Sequence, residues 1–231
     1  MKMFLSVLLI IMLTVFICPP VNAGTYVIYP SKDAYVHSLI PDANAGSDGA
    51  IITGCDYGSW LARTYMTFDL SVIPQGEGIT SAVLHLYQYE GMGYGSAGVA
   101  VFYINNDTWD ESAITWNNRP DGGSYGSQIA FNENGGWYQG WSTWDLLVTR
   151  VWDPSVDRSD GALTIMLKEF ENGDQGHNFR SRNYQYSAYL PYLEVVTNPP
   201  CDCDLNHDGR CDMRDWVLFG RSWGRTNCPL D

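Results

Sequence analysis

Basic residues are scarce in this chain. Its 231 residues hold 13 Lys and Arg against 26 Asp and Glu, a formal charge of -13. Binding to a phosphate backbone needs a basic face, so nucleic acid is excluded as a partner. Long apolar runs are equally rare. Beyond the first 23 residues no segment reaches the ~20 apolar residues of a membrane helix, so no span is expected once that segment is removed. Cysteine is nearly missing from the middle: Cys18 lies near the start, Cys55 stands alone, and the other four crowd the end. The metalloprotease signature H-E-x-x-H is missing too, and His37, His85, His177 and His207 are scattered. G-x-S-x-G occurs at Gly122–Gly126, in a Gly-rich turn cluster, and at Gly220–Gly224, in the tail, and neither stands between a strand and a helix signal as a nucleophile elbow does. Asp110 and Glu111 are adjacent, so on a strand they face opposite sides, whereas paired glycosidase carboxyls flank one bond ~5–9 Å apart. A polysaccharide lyase, which works with Tyr, His and Arg on a sandwich, stays open on residue type.

The opening segment reads as an export signal. Lys2 is followed by an apolar run from Phe4 to Cys18, and Val21-Asn22-Ala23 forms a small-residue site before Gly24. Cleavage is expected after Ala23, leaving a secreted, extracellular chain. An uncleaved anchor fits less well, because Pro19-Pro20 ends the run. A lipid on Cys18 is opposed by the bulk of Ile17. In an exported chain the crowded Cys201, Cys203, Cys211 and Cys228 read as disulfides. A zinc site would want C-x₂-C with His pairs, which are not there. Cys55 reads as a small buried hydrophobe.

Strand signals dominate what remains. They run through Thr25–Tyr29, Arg63–Leu70, Ala82–Glu90, Val99–Ile104, Leu163–Lys168 and Tyr192–Val196. In Ala82–Glu90 the alternation puts Ala82, Leu84 and Leu86 on one face, with Val83, His85, Tyr87 and Tyr89 on the other. Gly, Pro, Asn, Asp and Ser clusters between the runs supply turns. One helix is expected near Trp144–Trp152, capped by Asp145. Many short strands with Gly-rich turns predict an all-β fold, an antiparallel β-sandwich of jelly-roll type. The expected organisation is a signal over 1–23, a sandwich over 24–196, a Pro-stiffened linker over 197–200 and a small calcium loop–helix module over 201–231. Nine Trp and fifteen Tyr exceed what one core needs, so some rings are expected at the surface, where a flat aromatic suits the apolar face of a sugar. A Trp-rich core with ordinary partial exposure is the other reading.

The order of segments resembles a known family. DAYVHSLIPDANAGS, with Asn44-Ala45-Gly46, is similar to the opening of DNRLRE domains, also classed as carbohydrate-binding module family 96. RTYMTFDLSVIPQGEGITSAVLHLY, TWDESAITWNNRP and FRSRNYQYSAYLPYLEV resemble its later blocks, in order. Asn183 departs from the pattern, which usually has Glu after Ser-Arg. The resemblance implies a β-sandwich that binds polysaccharide without catalysis, with alginate bound by some members.

Recognising a polysaccharide takes aromatic faces for stacking and planar charged donors for hydroxyls and carboxylates. Arg63, Arg180 and Arg182 fall in the family-like blocks. Arg180 and Arg182 are two apart and are expected to share a strand face. Tyr184 and Tyr186 flank them as stacking candidates, and the set suits an acidic glycan. The competing reading is structural, with each Arg salt-bridged to a carboxylate such as Asp33 or Asp69. Trp109 and Trp116 are expected to pack inside a long loop with its own small core. Asp42, Asn44 and Asp48 form either a second calcium loop or an ordinary Asx-rich turn.

The tail sequence DLNHDGRCDMRD places oxygen donors at loop positions 1, 3, 5, 9 and 12: Asp204, Asn206, Asp208, Asp212 and Asp215. Gly209 takes the sharp turn, and the carbonyl of Arg210 supplies the position-7 ligand. Calcium is therefore the expected cofactor. Trp216, Phe219 and Trp223 make an apolar helical stripe behind it. Loop then helix looks like one dockerin repeat. Dockerins carry two and dock onto cohesins, so cohesin binding does not follow from one. So short a segment needs calcium and disulfides to fold. Cys201–Cys228 with Cys203–Cys211 is favoured among the three pairings that four Cys allow. The partners expected are a polysaccharide and, through the tail, a cell-surface or scaffold protein. The competing function is a structural or adhesion protein without glycan specificity.

Overall fold

The alternating run Ala82–Glu90 lies inside the longest strand of the fold. In the computed structural model the described residues form eleven strands: β1 (Gly24–Ile28), β2 (Pro30–His37), β3 (Ala50–Asp56), β4 (Trp60–Asp69), β5 (Gly78–Gly93), β6 (Val99–Ile104), β7 (Gln128–Asn132), β8 (Gly140–Asp145), β9 (Ala162–Glu169), β10 (Asp174–Arg180) and β11 (Tyr192–Asn198). A short helix, α1 (Pro154–Asp160), precedes β9. The structure describes residues 24–57, 59–74, 77–93, 98–133, 138–169 and 174–198, with Met213, Arg214 and Val217 beyond them. The expected signal over 1–23, the expected calcium ligands Asp204, Asn206, Asp208, Arg210, Asp212 and Asp215, the four tail cysteines and the stripe residues Trp216, Phe219 and Trp223 lie outside the described residues.

Every strand pairing is antiparallel, and the order is β1-β11-β5-β10-β3-β4-β9-β6-β7, with β2 added to β4 and β8 to β5. The all-β expectation holds, with the two layers of the sandwich being parts of one curled sheet. Distant strands share one core: Leu84 and Leu86 of β5, Leu193 and Val195 of β11, Phe68 of β4, Ile165 of β9 and Val101 of β6. Trp144 of β8 closes it, its Nε1 donating to the carbonyl of Val99 at 2.8 Å. A second cluster lies on the other face of β2 and β4. There Ala34, Val36, Tyr65 and Met166 pack with Ile104 of β6 under Trp109 and Ile114 of the long loop over 105–127. That loop carries its own small core, as the sequence predicts.

Two features of β5 position the site. First, β8 pairs with Val83–Gln88, overlapping the residues bonded to β11 (Gly78–His85) and to β10 (Gln88–Gly93). β10 and β11 therefore share one flank of β5 as a single interrupted strand line, and residues 181–191 leave that line between them. Second, Phe179 faces Gln88 while Asn178 faces Glu90, which leaves Tyr89 as the extra residue of a bulge. A bulge re-aims its side chain and increases the local twist.

The expected helix at Trp144–Trp152 is corrected. GWSTWD is strand β8, with Ser142 and Trp144 buried and Thr143 and Asp145 exposed, which is period two. Asp145 still accepts the Leu147 N–H at 3.0 Å, as a turn rather than a cap. The true helix starts just past the expected one: Asp153 caps it, Pro154 sits at its first position and Gly161 ends it at φ +83°.

Candidate functional site

The four family-like segments meet in space, and most of their polar side chains fasten loops together. Asn44 donates through Nδ2 to the carbonyls of Glu111 and Ile114, both at 2.8 Å. A Cβ on Gly46 would sit 2.0 Å from the Glu111 carbonyl, so only Gly allows this approach. Asn183 donates to the Gly46 carbonyl at 2.9 Å, so the departure from the family pattern carries a loop contact. Asp42 accepts from Asn117 at 2.8 Å. Asp42 and Asn44 thus join the 41–49 loop to the 105–127 loop, the geometry of an Asx-rich turn. Among the described residues no group of three His, Cys, Asp or Glu is placed to hold a metal ion.

Arg63 is 5% exposed and its Nη1 lies 3.1 Å from Asp121 Oδ2, with Trp116 and Tyr125 rings each 5.0 Å from its guanidinium. Asp121 Oδ1 also lies 3.0 Å from Arg119 Nε, as an ion pair. Arg63 therefore lies enclosed beneath the long loop. Trp109 packs there too, its Nε1 bonded to Thr67 Oγ1 at 2.9 Å.

Arg180 and Arg182 do not share a strand face. β10 ends at Arg180, and Ser181 turns the chain, its Oγ donating to the Asp48 carbonyl at 2.5 Å and accepting from the Asn183 N–H at 3.1 Å. Arg182 points into a different network. Its Nε and Nη2 grip Glu111 at 2.8 and 2.6 Å, and its backbone N–H reaches Asp33 Oδ2 at 2.7 Å. Asp33 Oδ1 meets no donor. Burial, with Glu111 beside it, pushes Asp33 up to about 7, while the Arg182 N–H and guanidinium pull the other way. Arg182 is thus a fastener, with Glu111 as its partner rather than Asp33 or Asp69 side chains alone.

Arg180 is different. Its guanidinium lies 3.6 Å from the Tyr89 ring centre and 4.0 Å from that of Tyr184, clamped between two faces. Its Nε is buried and meets no acceptor, the side chain as a whole is partly exposed, and among the described residues no carboxylate pairs with it. Arginine stacks well on rings because its flat faces are weakly hydrated, and stacking leaves the N–H edge open in the plane. The bulge places Tyr89 as one plate, and the 181–191 excursion brings Tyr184 as the other. Burial raises the Tyr89 phenol above its ordinary value, the Arg180 charge opposing, so the ring stays neutral near pH 7. Tyr186, 56% exposed, meets Tyr184 edge to face at 5.5 Å. Tyr189 lies 6.4 Å from Tyr184. Tyr89 and Tyr189 were not singled out by sequence. The alternation that put Tyr89 on the outer face was the available signal, but the bulge that aims it was not readable.

Tyr89, Tyr184, Tyr186 and Tyr189 thus gather around the partly exposed Arg180 of the β-sandwich. Comparison with known proteins gives the family. A model of carbohydrate-binding module family 96 matches residues 24–197. The chain belongs to this family, and carbohydrate binding is the activity the family carries. A stretch of 110 residues is 31% identical to a gellan lyase of Bacillus sp; the match covers 46% of this chain and only 4% of that much longer protein.

Proposed function

We propose that the protein is a secreted, non-catalytic polysaccharide-binding module whose ligand is an acidic glycan such as alginate. The observation that carries this reading is Arg180: a partly exposed guanidinium clamped by Tyr89 and Tyr184 and engaged by no carboxylate among the described residues. A uronate carboxylate supplies the complementary acceptor, and charge-assisted bonds of this kind are the strong ones. Tyr184 and Tyr186 add faces for the sugar rings. The non-catalytic assignment draws on the family and on the adjacent carboxylates. Asp110 accepts from the N–H and Oγ of Ser112, and Glu111 grips Arg182, so both serve the loop. Calcium in the loop over 204–215, and attachment of the tail to a cell-surface or scaffold partner, complete the proposal.

Affinity electrophoresis through alginate, gellan and a neutral glucan tests it. Retardation by an acidic polymer, weakened about tenfold or more in Arg180→Ala, is expected. Equal retardation by the neutral glucan, or none by any polymer with folding intact, rejects the acidic-glycan reading. Release of unsaturated or reducing ends from any of the three would show catalysis and overturn the non-catalytic assignment.

A further inference from the structure

The ring array does not stop at the arginine clamp. Tyr189 touches Tyr87 with ring centres 4.4 Å apart, and Tyr87 meets the edge of Trp141 at 5.6 Å. Trp141 in turn lies 5.5 Å from Tyr192, which stacks on His85 at 4.3 Å with planes 9° apart. These rings come from three hydrogen-bonded neighbours, β5, β8 and β11. Register sets Tyr87 opposite Trp141 and His85 opposite Tyr192. Directly opposite residues on one sheet face are close enough to touch. The residues between them, Leu84 and Leu86, are fully buried, so the rings stand on the outer face. All four are partly exposed. The His85 imidazole is held below its ordinary value by burial, Glu194 opposing, so it offers a neutral ring near pH 7. Among the described residues no Lys or Arg lies over these four rings, unlike the clamp, and Tyr189 joins the two.

We infer that Trp141, Tyr87, His85 and Tyr192 form a second, uncharged sugar-stacking subsite, which continues the clamp so that both are filled by one extended polysaccharide chain. This rests on the clamp binding polysaccharide at all. Rings in a connected row suit successive pyranose faces, while hydroxyl-rich edges remain in water. Once the clamp is occupied, the second contact is intramolecular and adds affinity without a second loss of translational freedom. The preferred ligand is then an internal stretch of polymer, not a chain end or a short oligomer.

The test compares short alginate oligomers with polymeric alginate and polymeric gellan, by isothermal titration, on wild type, Arg180→Ala, Trp141→Ala and Trp141→Phe. Wild type is expected to bind polymer more tightly than short oligomers. Trp141→Ala should weaken polymer binding roughly tenfold and leave short oligomers nearly unchanged. Trp141→Phe keeps a ring and should restore most of the polymer affinity, which separates stacking from misfolding. Arg180→Ala should weaken both. Tight polymer binding that Trp141→Ala does not alter, or equal affinity for short and long chains, overturns the second subsite while leaving the clamp intact. Absence of binding by both polymers overturns both readings.

Discussion

Replacing Arg182 and Arg180 one at a time by alanine should produce opposite phenotypes. Arg182→Ala removes two charge-assisted bonds to Glu111, at 2.8 and 2.6 Å. Buried, such bonds contribute ~1.5–3 kcal/mol, but here the side chains are 35% and 18% exposed, and solvent screening lowers the figure. A loss of about 1–2 kcal/mol follows, or roughly 2–8 °C in Tm for a domain of this size. Glu111 would also be left beside Asp33 without its cation. Arg180→Ala removes a group with no ion pair and two ring contacts, so the cost should stay below ~2 kcal/mol, with glycan binding lost instead. Differential scanning calorimetry measures the first effect and titration with polymeric alginate the second. An Arg182→Ala protein that melts like wild type yet no longer binds would refute the division of labour between the two arginines.

Further outcomes follow from the same contacts. Asp33 has its folded value raised to about 7 from 3.8, so the folded state holds a proton the unfolded chain has released between these values. Stability should be greatest below pH ~4 with respect to this group and fall, by up to roughly 4 kcal/mol, as pH climbs to 7. Asp33→Asn should flatten that slope in urea titrations at stepped pH, and an unchanged slope would remove Asp33 as its source. Gly161→Ala should cost about 1 kcal/mol or more by forcing a Cβ into φ +83°, read from the urea midpoint. Chelation of calcium should increase hydrogen exchange in Trp216–Trp223 while leaving β1–β11 protected, and unaltered exchange there would dismiss the calcium loop.

Much of the fold was legible. Val99–Ile104 matches β6 end to end, the runs at Ala82, Leu163 and Tyr192 fall within β5, β9 and β11, and the run at Arg63 falls within β4 but for its last residue, Leu70. Strands β8 and β10 were harder. GWSTWD and DQGHNFR are polar or Gly-containing, and their place is fixed by partners on β5 and β3 rather than by local pattern. The helix signals Asp153-Pro154 and Gly161 were present but outweighed by the apolar spacing at Leu147 and Val151. At the site, residue type pointed to arginine and tyrosine, and Arg180 with Tyr184 came together. Spacing failed for Arg182, because a strand face requires the strand to continue, and Ser181 ends it. The partners Glu111 and Asp121 are distant in sequence and appear only once the long loop folds over β2 and β4.

The side-chain guanidinium N–H resonances of the arginines offer the most direct test that the clamp is where glycan binds. On titration with alginate oligomers, the Arg180 Nη–H signals should shift and gain protection from exchange, while the guanidinium signals of Arg63 and Arg182 stay in place. A ligand that binds and moves the Arg182 or Arg63 signal, with Arg180 silent, would contradict the account.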